Sequence, residues 1–443
     1  MSFRKCLYAM LIRHFMGTSR RELLKAVAAF AAGAVVGSGA TYAALQSIRA
    51  AVEKTTTSTP VEASRTAVGL PKMKVHFIYV GPIGDYGWTH AHDVGKRYLE
   101  TVLCPNPKKW CIVETSYTDN VPEDQAYKYI KRAISEGAHM VFTTSYGFMD
   151  ATKQAAKENP DRFFAHCSGY FKDVDEWQSL PNFAEYFIDL YEAYYLNGLV
   201  AGKMTKTNKL GYVAAFLIPE VIRHMNAFLI GAREVNPKVT MDVVQLGAWY
   251  NPEGARKAAT ALVEASGADV LAFTEDSPAV LQTAEDYQKR GRAVWSFSHY
   301  SDMTQFGPRA HLTGQVVNWG PLYVEMVIRA YLAWVSGEMS IWSEWPPERP
   351  RDYWWSMKNA YVYYDHRKNP ADIVRPLNPA VPAEVRDYVE RRRREIIEGV
   401  WDPFTGPVKD LRGNVKVPDR ARLGKDDLYN MDWFVEGYGQ LPS

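Results

Sequence analysis

The chain has 443 residues with a net charge of +2 and 23% charged side chains, enough length for two lobes of ordinary size with tails. There is neither a basic field that would suit nucleic acid nor an acidic tail. Its 13 tryptophans and 27 tyrosines are numerous enough that some are expected to line a cleft rather than a core.

The N-terminal stretch Ser19-Arg20-Arg21-Glu22-Leu23-Leu24-Lys25 is a twin-arginine signature, followed by a weakly hydrophobic stretch that runs through small residues to Ala44. Twin-arginine export carries folded proteins, which places the working domain outside the cytoplasm. Ser38-Gly39-Ala40 offers a cleavage site. Left uncleaved, 26–45 is about long enough to span a bilayer, so 1–45 is either a removed signal or an N-terminal membrane anchor. The Thr/Ser-rich 46–70 then forms a flexible stalk.

The folded part is expected from near Pro71. The run 74–80 is short, apolar and rich in β-branched or aromatic residues, so it reads as a buried strand. The Gly/Pro-rich segment Gly81-Pro-Ile-Gly-Asp-Tyr-Gly-Trp88 after it must turn. Thr89 is the expected cap of a helix whose inward face is Ala91, Val94, Tyr98, Leu99 and Val102. Strands follow at 111–117, 139–144 and 162–166, with helices at 122–136 and 151–159 between them, and 182–189 reads as an edge strand. After a helix at 191–204 the pattern resumes with strands at 209–216, 239–246, 269–274 and 293–297 and helices at 219–234 and 253–266. Such alternation implies α/β architecture with parallel, doubly wound sheets. The expected organisation is one lobe from 71–188 and 316–340, a second from 189–315, and an extension from 341–443 that packs on both. The ligand site should lie in the cleft between the lobes.

The extension is rich in Trp, Pro and Arg, and the basic run 391–394 on its helix at 382–398 reads as a solvated face rather than a nucleic-acid site. Cys104 and Cys111 flank a turn-like loop and can close as a disulfide in an oxidising compartment, or stand as two semi-buried thiols.

Trp88, Tyr146, Phe216, Trp249, Asp276, Ser298 and Trp319 all fall just after strands, where open α/β sheets bind ligands. Rings with an acid, an Asn and hydroxyls suit a flat heteroaromatic ligand. Asp276 could read an exocyclic amine or a ribose hydroxyl, or simply cap a helix before Pro278. Trp88 could equally be packing, since glycine loops follow strands in most α/β units. The loop lacks Gly-x-Gly-x-x-Gly and Gly-Lys-Ser/Thr, so nucleotide-phosphate cradling is not indicated. His90, His92 and Asp93 have metal-ligand chemistry, but i and i+2 positions diverge on a helix, and no metal or cofactor is expected. Glu275 and Asp276 are adjacent and point apart, unlike a glycosidase pair.

Gly81-Pro-Ile-Gly-Asp-Tyr-Gly-Trp-Thr-His-Ala-His-Asp, Thr143-Thr-Ser-Tyr-Gly-Phe-Met, Ala201-Gly-Lys-Met-Thr-Lys, Ile218-Pro-Glu-Val, Asp276-Ser-Pro, Val317-Asn-Trp-Gly, Asp402-Pro-Phe-Thr-Gly-Pro and Met431-Asp-Trp-Phe-Val-Glu-Gly together resemble the basic membrane protein (BMP) family of ABC-transporter substrate-binding proteins. The resemblance spans 72–439. It implies a type I periplasmic-binding-protein fold, two lobes joined by hinge crossovers, with capture of a purine-like base or nucleoside for an ABC permease and its ATPase. By motif, Trp88 takes the place of the aromatic that stacks on the base, Tyr146 lies in the loop after the strand at 139–144, and Asp276 corresponds to the acid that reads the polar edge. Phe216, Trp249, Asn318 and Trp319 are carried over with them. The missing lipobox cysteine and the long stalk depart from the family's usual lipid anchor. The rival readings are an exported nucleoside-processing enzyme and a ligand-sensing receptor of the same fold.

Overall fold

The computed structural model describes residues 71–105, 111–171, 173–347, 349–358 and 369–442. The leader, the stalk and most of the loop between Cys104 and Cys111 lie outside them. Among the described residues no helix is long and apolar enough to cross a membrane.

The first lobe begins with β1 (Met73–Ile78), whose apolar side chains are buried on both faces. It continues with α1 (Trp88–Leu103), β2 (Val113–Thr118), α2 (Ala126–Ser135), β3 (Met140–Thr143), α3 (Met149–Glu158), β4 (Phe163–Cys167), α4 (Val174–Ser179) and β5 (Phe183–Ile188). The second lobe holds α5 (Tyr191–Met204), β6 (Lys209–Ala214), α6 (Pro219–Val235), β7 (Thr240–Gln245), α7 (Pro252–Glu264), β8 (Val270–Thr274), α8 (Ala279–Lys289), β9 (Trp295–Ser298) and β10 (His311–Val317). Then α9 (Gly320–Ser336) returns to pack on α1 of the first lobe. The C-terminal part adds α10 (Ser340–Ser343), β11 (Asp352–Trp355), β12 (Ala371–Ile373), α11 (Ala383–Ile397), β13 (Val408–Lys409), β14 (Val415–Val417) and α12 (Lys425–Tyr429).

Two six-stranded sheets result, in the orders β11-β5-β4-β3-β1-β2 and β12-β10-β9-β8-β6-β7. The first is parallel throughout, and the second is parallel except for β12 at its edge. In each sheet the order reverses beside the lobe's first strand, which leaves a crevice at the carboxyl ends. The C-terminal part is therefore woven into both sheets. That corrects the reading of 182–189 as an edge: β5 is interior and buried along its whole length, because β11 pairs with it and Lys425 neutralises its one acid, Glu185, at 3.2 Å.

Helix α5 is buried on nearly every side and crosses α6 at backbone contact. A Cβ at Gly198 would meet the Phe228 carbonyl oxygen at 2.0 Å, and one at Gly231 the Tyr195 oxygen at 2.2 Å, so glycine is what permits the crossing.

Three local expectations change. The N-cap of α1 is Gly87, not Thr89, and the Asp85 carboxylate ahead of it accepts the N–H groups of Gly87, Thr89 and His90 at 2.9–3.0 Å, while the Thr89 hydroxyl accepts from Gly81. Three donors converge on one carboxylate because the turn wraps around it. Val94 faces solvent, and Trp88, the first residue of α1, takes the buried position. In the basic run, Arg392 pairs with Glu234 and Glu395, and Arg393 with Asp372 and Glu390, so half of it serves internal ion pairs. Cys104 and Cys111 form the disulfide.

Candidate functional site

The loops after seven strands deliver side chains to one small cavity between the lobes. From the first lobe come Val80 and Trp88 after β1, Ser145 and Tyr146 after β3, and Ser168 after β4. From the second come Glu220 in the first turn of α6, Trp249 after β7, Asp276 after β8 and Tyr300 after β9.

The rings stand in two pairs along the cavity wall. Trp88 meets Tyr300 edge-on at 4.9 Å across the cleft and donates its indole N–H to the Thr144 carbonyl. Trp249 is half-buried and packed against Phe216 at 4.9 Å. Asp276 accepts the Trp88 backbone N–H at 3.3 Å, and its own N–H donates to the Trp249 carbonyl at 2.8 Å. Asp276 thus holds both tryptophans in place.

The lobes meet closely around this cavity. A Cβ on Gly87 would fall 2.7 Å from the Asp276 Cα, so only glycine allows that approach. Ser301 donates to the Tyr86 carbonyl, the Tyr86 ring meets Phe306 at 4.6 Å, and Ser168 donates to Glu220 at 3.2 Å. Tyr86, Ser168 and Tyr300, all at the rim, have φ of 63°, 67° and 61°. Left-handed backbone at non-glycine residues is strained and persists where the surroundings over-determine it, as they do at binding sites.

The electrostatics are lopsided. Asp276 and Glu220 line the cavity with Asp85 and Glu275 behind them, and no lysine or arginine is among the lining residues. Burial pushes the Asp276 carboxyl well above the usual carboxylate range, and the charges of Asp85 and Glu275 push it further. Burial likewise raises Asp85 to about 6 against the three N–H bonds it accepts, and raises Glu275. Tyr300 is raised by burial and by Glu220 and Asp276 beside it. Such a site welcomes hydrogen-bond donors or positive charge and repels anions.

Of the residues singled out in the sequence, Trp88, Tyr146, Trp249 and Asp276 meet at this cavity. Phe216 backs Trp249 without lining it. Trp319 is fully buried one layer deeper, stacked on His92 at 4.3 Å and edge-on to Trp88 at 5.6 Å. Ser298 is buried against His311 at 3.0 Å, and Asn318 gives its backbone N–H to Pro370, so neither reaches the cavity. Glu220, Ser168 and Tyr300 went unrecognised; each lies one to six residues past a strand end, and Ile218-Pro-Glu-Val already contained Glu220. The metal-like trio separates as its spacing implies: His92 bonds Tyr323, Asp93 pairs with Lys96 and Arg97, and His90 turns toward the Ile83 carbonyl. Among the described residues no group of three or more His, Cys, Asp or Glu could hold a metal ion.

A family model described as "ABC transporter substrate-binding protein PnrA-like" matches residues 72–341. The purine-binding protein BAB2_0673 of Brucella abortus is 33% identical over 83% of this chain and 93% of its own length. A putative ABC transporter glucose-binding protein, TsgA13 of Haloferax volcanii, is 29% identical over 83% of this chain and 81% of its own. Among solved structures, an ABC transporter solute-binding protein from Aeropyrum pernix superposes with a TM-score of 0.59 at 13% identity, covering 80% of this chain and 95% of that one, which supports the two-lobed fold. The crevice between two parallel sheets, the family match and the full-length relative agree: the chain belongs to the Bmp family of PnrA-like ABC transporter substrate-binding proteins.

Proposed function

We propose that the protein works outside the cytoplasm, captures a purine base or nucleoside between its lobes and delivers it to an ABC permease and its ATPase. The observation that carries this is a single cavity in which rings from both lobes, Trp88, Tyr146, Trp249 and Tyr300, surround a buried acid, Asp276. Flat rings offer stacking faces, and the acid accepts from an exocyclic amine or a ribose hydroxyl. The Brucella relative's name, purine-binding protein, points the same way. Each lobe supplies part of the contacts, so the ligand stabilises the closed arrangement by its differential affinity. No bond is made or broken.

A monosaccharide is the second reading, favoured by the acids and the Ser145 and Ser168 hydroxyls beside the tryptophans and by the glucose-binding name of the Haloferax relative. Thermal shift and titration calorimetry with adenine, guanine, hypoxanthine, adenosine and glucose separate the two, because a ligand that binds only the folded state raises its melting temperature. The expected result is binding of a purine, recovered unaltered. Binding of glucose alone sinks the purine assignment, and conversion of the ligand revives an enzyme. Trp249→Ala should weaken purine binding by about 5- to 150-fold, since base–aromatic stacking contributes about 1–3 kcal/mol. Trp249 is a cleaner test than Trp88, whose 7% exposure makes it part of the core as well.

A further inference from the structure

We propose that Glu220 sets the ligand specificity of this cleft: its carboxylate makes the cavity select ligands that present N–H or O–H donors and reject those that present an acceptor or a negative charge at that position. The inference rests on the purine reading for its main test ligands, though not for its chemistry.

Glu220 lies in the first turn of the 17-residue helix α6, where the positive end of the helix dipole favours a carboxylate. It is 7% exposed and lines the cavity. Two hydroxyls hold it. Tyr300 donates to Oε1 at 2.7 Å, and Ser168, from the opposite lobe, donates to Oε2 at 3.2 Å. Both of those residues have left-handed backbone, so the surrounding fold maintains two strained conformations that bring these hydroxyls to one acid. A carboxylate accepts about four hydrogen bonds and donates none, so two acceptor positions remain. Among the described residues that line the cavity there is no lysine or arginine, and Arg223, one turn further along α6, is spent on Asp189 at 2.9 Å. Tyr300 in turn packs on Trp88, which ties the position of Glu220 to the aromatic wall.

A donor-reading acid discriminates sharply, because an acceptor placed against it leaves buried lone pairs facing each other. Adenine carries an amine where hypoxanthine carries an oxygen, and adenosine differs from its 5′-monophosphate by a dianion. Calorimetry on the full-length protein should show adenine binding at least 50-fold tighter than hypoxanthine, and adenosine at least 100-fold tighter than the monophosphate. Glu220→Gln keeps an oxygen for one of the two hydroxyls and puts an NH2 donor in place of the other oxygen, so the second hydroxyl must turn to accept. It should shrink the adenine-to-hypoxanthine ratio below about fivefold, by weakening one and strengthening the other, with the melting temperature reporting that the variant is folded. Ser168→Ala removes the bond between lobes and leaves the acid, so it should lower both affinities by the same factor. An unchanged ratio in Glu220→Gln, or a ratio lost equally in Ser168→Ala, overturns the assignment. If purines fail to bind and glucose binds, the purine reading falls by itself. Glu220 is then judged by glucose against glucose 6-phosphate: exclusion of the phosphate that relaxes in Glu220→Gln supports it, and exclusion that does not relax overturns it.

Discussion

The buried acids at the hinge and those in the cleft are neutralised differently. At the hinge, Asp189 follows β5 where the chain leaves the first lobe, and it faces Arg223 at 2.9 Å and His224 at 3.3 Å. Glu192 and Asp402 nearby share Lys358. In the cleft, Asp276 and Glu220 have hydroxyls and a backbone N–H but no cation. The two aspartates respond in opposite directions. Burial pushes the Asp189 carboxyl up, but Arg223 and His224 outweigh it and hold it below the usual range, whereas Asp276 is driven up by burial and by Asp85 and Glu275. The hinge carries its counter-charges in its own sequence. The cleft surrounds its acids with hydroxyls and a backbone N–H alone.

The sharpest way to break this contrast is at the hinge. Arg223→Met would strand Asp189 without its guanidinium and remove the cation that lies 5.2 Å over Phe187 and 5.4 Å over Trp354. Truncating one partner of a buried pair costs about 3–5 kcal/mol, because the other charge remains buried. Urea unfolding should register a loss of that size, and a loss below about 1 kcal/mol would show that the hinge is no better compensated than the cleft. The double variant Arg223→Met with Asp189→Asn should recover much of it.

The contrast also explains what could be read from the sequence. Strand–helix alternation follows from local periodicity, so β1 through β9 and the two-lobed plan are legible, and Trp88, Tyr146, Trp249 and Asp276, picked for their places after strands, line the cavity. What was not legible depends on residues far apart in the chain. The interior position of β5 is decided by β11, more than 160 residues later, and by Lys425. Glu220 looks like any acid in a helix's first turn, until Tyr300 and Ser168 are seen to converge on it from two other loops. Trp319 matched a motif and sits after a strand, yet His92 and Trp88 cover it. Ring content predicts a cleft, but it does not say which rings face it.

A second test concerns pH at the hinge. Glu192 is fully buried, and burial raises it to about 7, with Asp402 pushing it up and Lys358 pulling it down. The native protein therefore keeps this proton to higher pH than the unfolded chain does. Its contribution to stability is full below the unfolded value of about 4.5 and is lost as pH rises through about 7. The window corresponds to about 3.5 kcal/mol at about 1.4 kcal/mol per pH unit. Glu192→Gln, which can still accept the Met357 N–H, should flatten the fall in unfolding free energy between pH 4.5 and 7. An equally steep fall in the variant would place the titration elsewhere.

The smallest effect is expected in the cleft, and its sign is the informative part. Asp276 costs the ligand-free protein stability wherever it is ionised, since its folded value is raised: the contribution is full below about pH 4 and lost as pH rises. Asp276→Asn keeps an oxygen for the Trp88 N–H and removes the charge that repels Asp85, Glu275 and Glu220. At pH 8 it should therefore raise the melting temperature of the ligand-free protein by about 2 °C, of order 1 kcal/mol, while purine binding falls at least tenfold. At pH 4 the gain should vanish, because the wild-type carboxyl is then protonated too. A stabilising substitution that destroys binding is the mark of an acid retained for its ligand. If Asp276→Asn instead destabilises the protein at pH 8, the carboxylate is serving the fold by holding Trp88, and the contrast between cleft and hinge narrows to a difference in partners.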